Sequence, residues 1–180
     1  MNKENINFNN ADVLTLSPRE DTSYMLIFDG DWQGQKSLVV NLETPNVSCK
    51  IYCGYKVLPG TAVDLVTIIT HKAANTSSDT AIRGALFNGG VSKYQGKVVI
   101  ERTAQGSLSR LDDRVLVIGE GIHNHAEPVM QIEANDVSAS HASSTGRVDE
   151  NQLYYLQSRG LSYEESQKLL VDAFLAPLEY

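Results

Sequence analysis

From residue 13 to residue 148 the chain is a succession of short apolar runs, and no helical period interrupts them before residue 149. The runs are Val13–Leu16, Ser23–Phe28, Ser37–Leu42, Val47–Tyr55, Ala62–Thr70, Ala81–Phe87, Lys97–Glu101, Arg114–Ile118, Val129–Ala134 and Asp136–Ser140. Gly, Asn, Asp and Ser clusters divide them at a fairly even pitch, and Ala62–Thr70 is rich in β-branched residues. Branched and aromatic side chains suit a half-buried pleated surface, so each run predicts a strand. Evenly spaced short strands restrict the fold to a sandwich, a barrel or a solenoid. Asn88-Gly89-Gly90 is the best hairpin candidate. Most other turns are polar corners carrying Ser, Thr and Asn, which also suit the coils of a β-helix. No clean internal repeat is visible to separate the three arrangements.

The two ends differ from this body. Residues 1–12 are Asn-rich, polar and aperiodic, and predict a flexible arm. At the other end, Asp136–Ser140 leads through a Ser/Thr/Gly corner at Ser143–Gly146 into a helical segment, 149–180. Asp149 is a good N-cap, with Gln152 placed to close a capping box, and Gly160 can end the helix in the left-handed conformation. Ser162 and Glu165 open a second helix in the same way. Leu169, Leu170, Ala173 and Phe174 form its apolar stripe, and Pro177 stops it. So short a helix pair must lay that stripe on the β-body or on another protein.

Charge and length exclude several classes. Lys+Arg 15 against Asp+Glu 22 leaves −7 with no basic run, which argues against nucleic acid or an anionic membrane as partner. No apolar run approaches the roughly 18–20 residues of a membrane span, and the start MNKENINFNN does not read as a signal peptide. A cytoplasmic protein with reduced cysteines is expected.

Few residues suggest chemistry. His123 and His125 form an H-x-H pair whose rings would share one face of a strand, half of a metal site of the kind cupin-type jelly rolls use. Glu127 is too near and Glu133 too far to complete that pattern, and Gly119–Pro128 reads as a loop. A metal-binding β-domain using His123 and His125, whether enzymatic or not, is the alternative function. Cys49 and Cys53 are four apart on one side of a strand, not the C-x-x-C of redox or zinc sites, and read as buried small hydrophobes. His71 reads as a capping or core-edge residue, and His141 as a hydrogen-bonded residue among Ser138 and Ser140. No nucleophile–base–acid set, phosphate loop or paired-carboxylate signature is present.

Two stretches, Ala81–Val91 (AIRGALFNGGV) and Glu133–Ser162 (EANDVSASHASSTGRVDENQLYYLQSRGLS), resemble the core of the SufB/SufD family, scaffold subunits of the SUF iron–sulfur cluster assembly system. The family pattern, a strand, S-H-x-A-T-x-G-R-x-D, then a helix with L-x-Y-L-x-S-R-G, meets Ser140, His141, Gly146, Arg147, Asp149, Leu153, Tyr155, Leu156, Ser158, Arg159 and Gly160. Arg83, Phe87 and Gly89 fall on its R-x-x-F-x-G segment. His71 and His125 fall where members keep histidines. The family's cysteines are replaced by Ala139 and Ile132, and a glutamate by Ala142. The histidines are thus carried over without the thiolates that iron–sulfur clusters prefer.

The resemblance implies an all-β fold, a right-handed parallel β-helix over residues 13–148 with a short C-terminal helical segment. It implies a non-catalytic scaffold or adaptor working with a SufC-type ABC ATPase docked on the helices through Tyr155, Leu169, Leu170 and Phe174. It also implies pairing with a SufB/SufD-type subunit or a second copy. His141, with His125, would contact iron or a transient iron–sulfur cluster near that interface. Gly146, Arg147, Asp149, Arg159 and Gly160 would be structural. The open ends of the solenoid so implied predict in turn a homodimer or a heterodimer with a longer subunit, because strand edges and apolar coil interior need cover.

Overall fold

The computed structural model describes residues 1–6, 11–29 and 34–176. Its strands are β1 (Asn2–Ile6), β2 (Val13–Leu16), β3 (Thr22–Asp29), β4 (Gln35–Leu42), β5 (Ser48–Val57), β6 (Ala62–His71), β7 (Ser77–Phe87), β8 (Val91–Ile100), β9 (Leu108–Ile118), β10 (His123–Ile132) and β11 (Ser138–Arg147), followed by α1 (Glu150–Ser158) and α2 (Tyr163–Leu175). Odd strands form one sheet in the order β1-β3-β5-β7-β9-β11, and even strands the other, β10-β8-β6-β4-β2. Every pairing is parallel. The chain therefore changes sheet at each corner and returns one strand further along. Of the three arrangements left open by spacing, this is the solenoid that the resemblance implied, a parallel β-helix with two C-terminal helices. Right-twisted strands favour the right-handed winding of such connections.

Alternate residues of each strand point into the lumen and stack coil upon coil. One inward column runs Thr22, Cys49, Ser78, Ser109, Ala139, and the next Tyr24, Ile51, Thr80, Leu111, His141. Leu26, Cys53, Ile82, Asp113 and Ser143 make a third. The lumen is the main core, with Leu26, Ile51, Tyr55, Ile69, Ile82, Leu86, Tyr94 and Ile100 almost fully buried. Gly84 is demanded by this packing, since a Cβ there would lie 2.6 Å from Tyr55 Cζ.

Corners repeat as regularly as strands. Gly60, Gly89 and Gly121 all have φ near +70° and stack on one another, as do Asn46, Asn75 and Gly106 at the other corner. Gly60 N–H donates to Asn88 C=O and Gly89 N–H to Glu120 C=O, so the corners continue the inter-coil ladder. Asn88-Gly89-Gly90 is one of these corners and not a hairpin. It joins β7 to β8, which lie in different sheets, and a parallel solenoid contains no hairpins.

Other expectations shift in detail. The arm expected over 1–12 contains β1, because the edge of β3 offers a backbone template that even the polar NKENI can use, beginning with Asn2 N–H to Asp21 C=O. The loop expected at Gly119–Pro128 holds the first half of β10, and the corner expected at Ser143–Gly146 lies inside β11. The Pro177 stop, like residues 7–10 of the arm, falls outside the described residues. Asp149 caps α1, but its carboxylate accepts from Asn151 N–H, and no reciprocal contact from Gln152 is present among the described residues. Gly160 follows at φ +97°. Ser162 and Glu165 form the capping box expected for α2.

α2 lies on the outer face of the odd-strand sheet, where Val171 and Leu175 meet Ala85, Phe87, Leu116 and Ile118. Lys56 pairs with Asp172 at 3.2 Å, and Tyr52 Oη donates to the Leu175 carbonyl. The buried residues of the helix are thus Ser166 and Val171, with Leu175 partly buried beside them, offset from the expected stripe. Leu169 is 47% exposed, and Leu170 and Phe174 are half-buried. Among the described residues no helix is long and apolar enough to cross a membrane.

Candidate functional site

The last coil differs from those below it. β10 and β11 end their sheets, so each has one unpaired edge. In register with the buried Gly96, Val98 and Ile100 of β8, the residues Pro128, Met130 and Ile132 of β10 point into the lumen. With no further coil above them, Met130 and Ile132 stay 46% and 45% exposed. Pro128, which lacks an N–H, suits such an edge. Ala139, His141, Ser143 and Thr145 line the opposite wall. The C-terminal end of the solenoid is therefore an open, partly apolar mouth, crossed by an Asn124 Nδ2–H bond to Thr145 Oγ1 at 2.8 Å.

His141 stands in this mouth above Leu111. Its Nδ1 is buried and meets no hydrogen-bonding partner among the described residues. Burial lowers its pKa, while the Asp112 carboxylate pulls the other way. Asp112 points outward and accepts from Arg83 at 2.6 Å and Arg114 at 3.0 Å; burial raises its pKa, but the two guanidiniums prevail and hold it below the usual value. Asp113, next in sequence, points inward and is fully buried. Ser143 Oγ donates to its Oδ2 at 3.0 Å, its Oδ1 has no partner among the described residues, and burial pushes its pKa up to about 6.

The remaining candidates separate from this mouth. His123 and His125 share one face of β10, as alternation predicts, but it is the outer face, with His125 in register with Lys93. His125 thus lies on the outer face of one wall and His141 on the inner face of the other, and the two are not brought together. Among the described residues no three His, Cys, Asp or Glu side chains gather as a metal set. The cupin-like alternative also loses its fold, since a jelly roll is antiparallel and every pairing here is parallel. His71 ends β6 fully buried, bonded through Nδ1 to Thr76 Oγ1 at 2.8 Å and through Nε2 to Ser78 Oγ at 2.9 Å. Burial lowers its pKa to about 4, so it is a neutral latch across the β6–β7 corner, within one coil. Cys49 and Cys53 are free and buried, and burial pushes both thiols up, Cys49 to about 12, away from the thiolate that reacts or ligates.

Ala139 and Ile132, where the family pattern carries cysteines, both face the lumen at the mouth, whereas Ala142 faces outward above Asp112. Arg147 reaches the Gly119 carbonyl and Glu120 across the coil step. On the helices, Tyr155 is exposed with Arg159 Cζ 5.2 Å from its ring centroid. A groove of about 310 Å³ runs beside it, lined by Asn151, Gln152, Tyr155, Leu156 and Leu170. Sequence reasoning missed Asp113. Its available signal was the Asp112-Asp113 doublet, of which alternation must send one carboxylate inward.

Residues 6–174 match the family model described as SUF system FeS cluster assembly, SufBD core domain. The chain is 35% identical over 133 residues to the iron–sulfur cluster assembly protein SufD of Bacillus subtilis, covering 66% of this chain and 30% of that one. It is 33% identical over 108 residues to an iron–sulfur cluster assembly SufBD family protein of Mycobacterium leprae, covering 60% and 12%, and 32% identical over 118 residues to one of Staphylococcus haemolyticus, covering 66% and 25%. The chain thus spans less than a third of the length of these relatives. With the model matching nearly the whole described solenoid and both helices, the chain belongs to the SufBD family of iron–sulfur cluster assembly proteins.

Proposed function

We propose that this chain is a scaffold or adaptor subunit of iron–sulfur cluster assembly, without catalytic activity of its own. The open last coil is the observation that carries this reading. Exposed Met130 and Ile132 and two unpaired strand edges form a self-adhesive end that a second SufB/SufD-type subunit, or a second copy, covers. His141 sits where such a pairing encloses it and is the residue assigned to contact iron or a transient cluster. His125, on the outer face, has at most a contact made from outside the lumen. The SufC-type ATPase docks on the helix pair, against Tyr155, Leu169, Leu170 and Phe174, which the body leaves wholly or partly uncovered. The site of work is the cytoplasm.

Co-expression with a SufC-type ATPase tests the reading. Stoichiometric co-purification that Leu169→Asp abolishes supports it. Absence of any complex, with the ATPase folded and active, overturns it.

A further inference from the structure

The two ends of the solenoid are complementary in register. At the end opposite the mouth, β1 and β2 each pair on one side alone among the described residues. Carried from coil to coil, the inward column that holds His141 begins at Glu4. On the other wall Leu14 shares a column with Pro128, and Leu16 one with Met130. A second copy shifted along the solenoid axis until its β1 and β2 lie one coil beyond β11 and β10 therefore continues both sheets. The shift sets Glu4 over His141, Leu16 over the exposed Met130, and Leu14 over Pro128. Glu4 is exposed, and a 3.4 Å contact from Asn2 Nδ2 is its side-chain bond among the described residues. His141 Nδ1 is buried and unpartnered there. A carboxylate acceptor thus meets a ring nitrogen that can donate to it.

The outer faces and the backbone agree with this shift. Lys3 falls over Ser140, Asn5 over Ala142, and Val13 over Glu127, so no like charges meet. Asn2 N–H donates to Asp21 C=O and Ser138 N–H to Ser107 C=O. Alternation then leaves the backbone groups of Lys3 and Asn5 at one free edge and those of Ala139, His141 and Ser143 at the other, staggered as a parallel ladder needs. On the second wall Pro128, lacking an N–H, leaves one rung empty.

We infer that this chain stacks head to tail on copies of itself, the coil of β1 and β2 closing the mouth of the next molecule. The contact joins two different surfaces, so it does not close at two chains, and each added copy presents a new mouth. A pairing of two last coils ends at a dimer and leaves the edges of β1 and β2 bare, whereas stacking covers both ends. This rests on reading the last coil as the end that a second copy covers, and names the surface that covers it.

Sedimentation velocity of the full chain over a range of concentrations tests this. Wild type is expected to grow past two chains as concentration rises. Leu16→Lys spoils one end and Met130→Lys the other, so each alone is expected to self-associate at least tenfold more weakly. Their equimolar mixture is expected to form a one-to-one pair and stop there. Should Leu16→Lys fail to fold, Glu4→Lys, at an exposed position, replaces it. Self-association of Leu16→Lys equal to that of wild type overturns the inference in favour of paired last coils. A mixture that gains no mass over its components overturns it too. A wild type that stays single yet pairs with a long SufB/SufD-type subunit sinks the stacking and spares the adaptor reading. Stacking without ATPase capture does the reverse.

Discussion

Ser143, on the last coil, donates a 3.0 Å hydrogen bond to the fully buried carboxylate of Asp113 on the coil below. The open last coil of the solenoid is thereby tied to the charged centre of its lumen. Ser143→Ala leaves Asp113 without any side-chain bond, and a charge-assisted bond of this kind contributes about 1.5–3 kcal/mol. Urea denaturation is expected to show that loss, with amide hydrogen exchange accelerated in β11 more than in β7.

Asp113 and His71 set opposite pH trends. The Asp113 carboxyl titrates near 6 in the folded chain against an ordinary 3.8, so the folded state binds the extra proton between those values and stability falls as pH rises through them. A shift of that size corresponds to about 3 kcal/mol at pH 7. His71 titrates near 4 against 6.5, so the unfolded state binds the extra proton and stability rises over a similar window. The two slopes largely cancel in wild type. Asp113→Asn is expected to be more stable than wild type at pH 7 and to lose that advantage towards pH 4. Denaturation midpoints at the two pH values measure it.

The strands were legible in the sequence because β6 and its neighbours keep branched residues in alternation, and the caps of both helices were legible at Asp149 and Ser162. The stacking was not. Tyr24, Ile51, Thr80, Leu111 and His141 share a column and almost nothing in chemistry, so no repeat shows in the letters even though coil follows coil. β11, SASHASSTGR, looks like a corner because its inward residues face an open mouth instead of a sealed core, and polar residues are tolerated there. His123–Pro128 failed as a strand for the same reason. The resemblance placed His141 on the family pattern, but only the register showed that Asp113 shares its lumen and that His125 does not.

His71 is expected to matter for stability alone. His71→Ala removes both bonds across the β6–β7 corner and leaves Thr76 and Ser78 facing a small void, at a cost of about 2–4 kcal/mol. Thermal denaturation should show the loss, and capture of a SufC-type ATPase measured well below the melting temperature should be unchanged.

The two faces of α2 should separate docking on the body from docking on a partner. Val171→Asp places a charge against Ala85 and Ile118 and is expected to undock the helix, costing about 3 kcal/mol or more. Leu169→Asp, on the exposed side, is expected to change stability by less than about 0.5 kcal/mol while abolishing ATPase capture. Near-UV circular dichroism with pull-down distinguishes them.

The open last coil carries the account, and the mass of the native particle in solution tests it most directly. Light scattering on the 19.8 kDa chain, alone and mixed with a long SufB/SufD-type subunit, is predicted to give the mass of a pair in at least one case. Met130→Lys is predicted to return it to the monomer without unfolding it. A monodisperse monomer under both conditions contradicts the account.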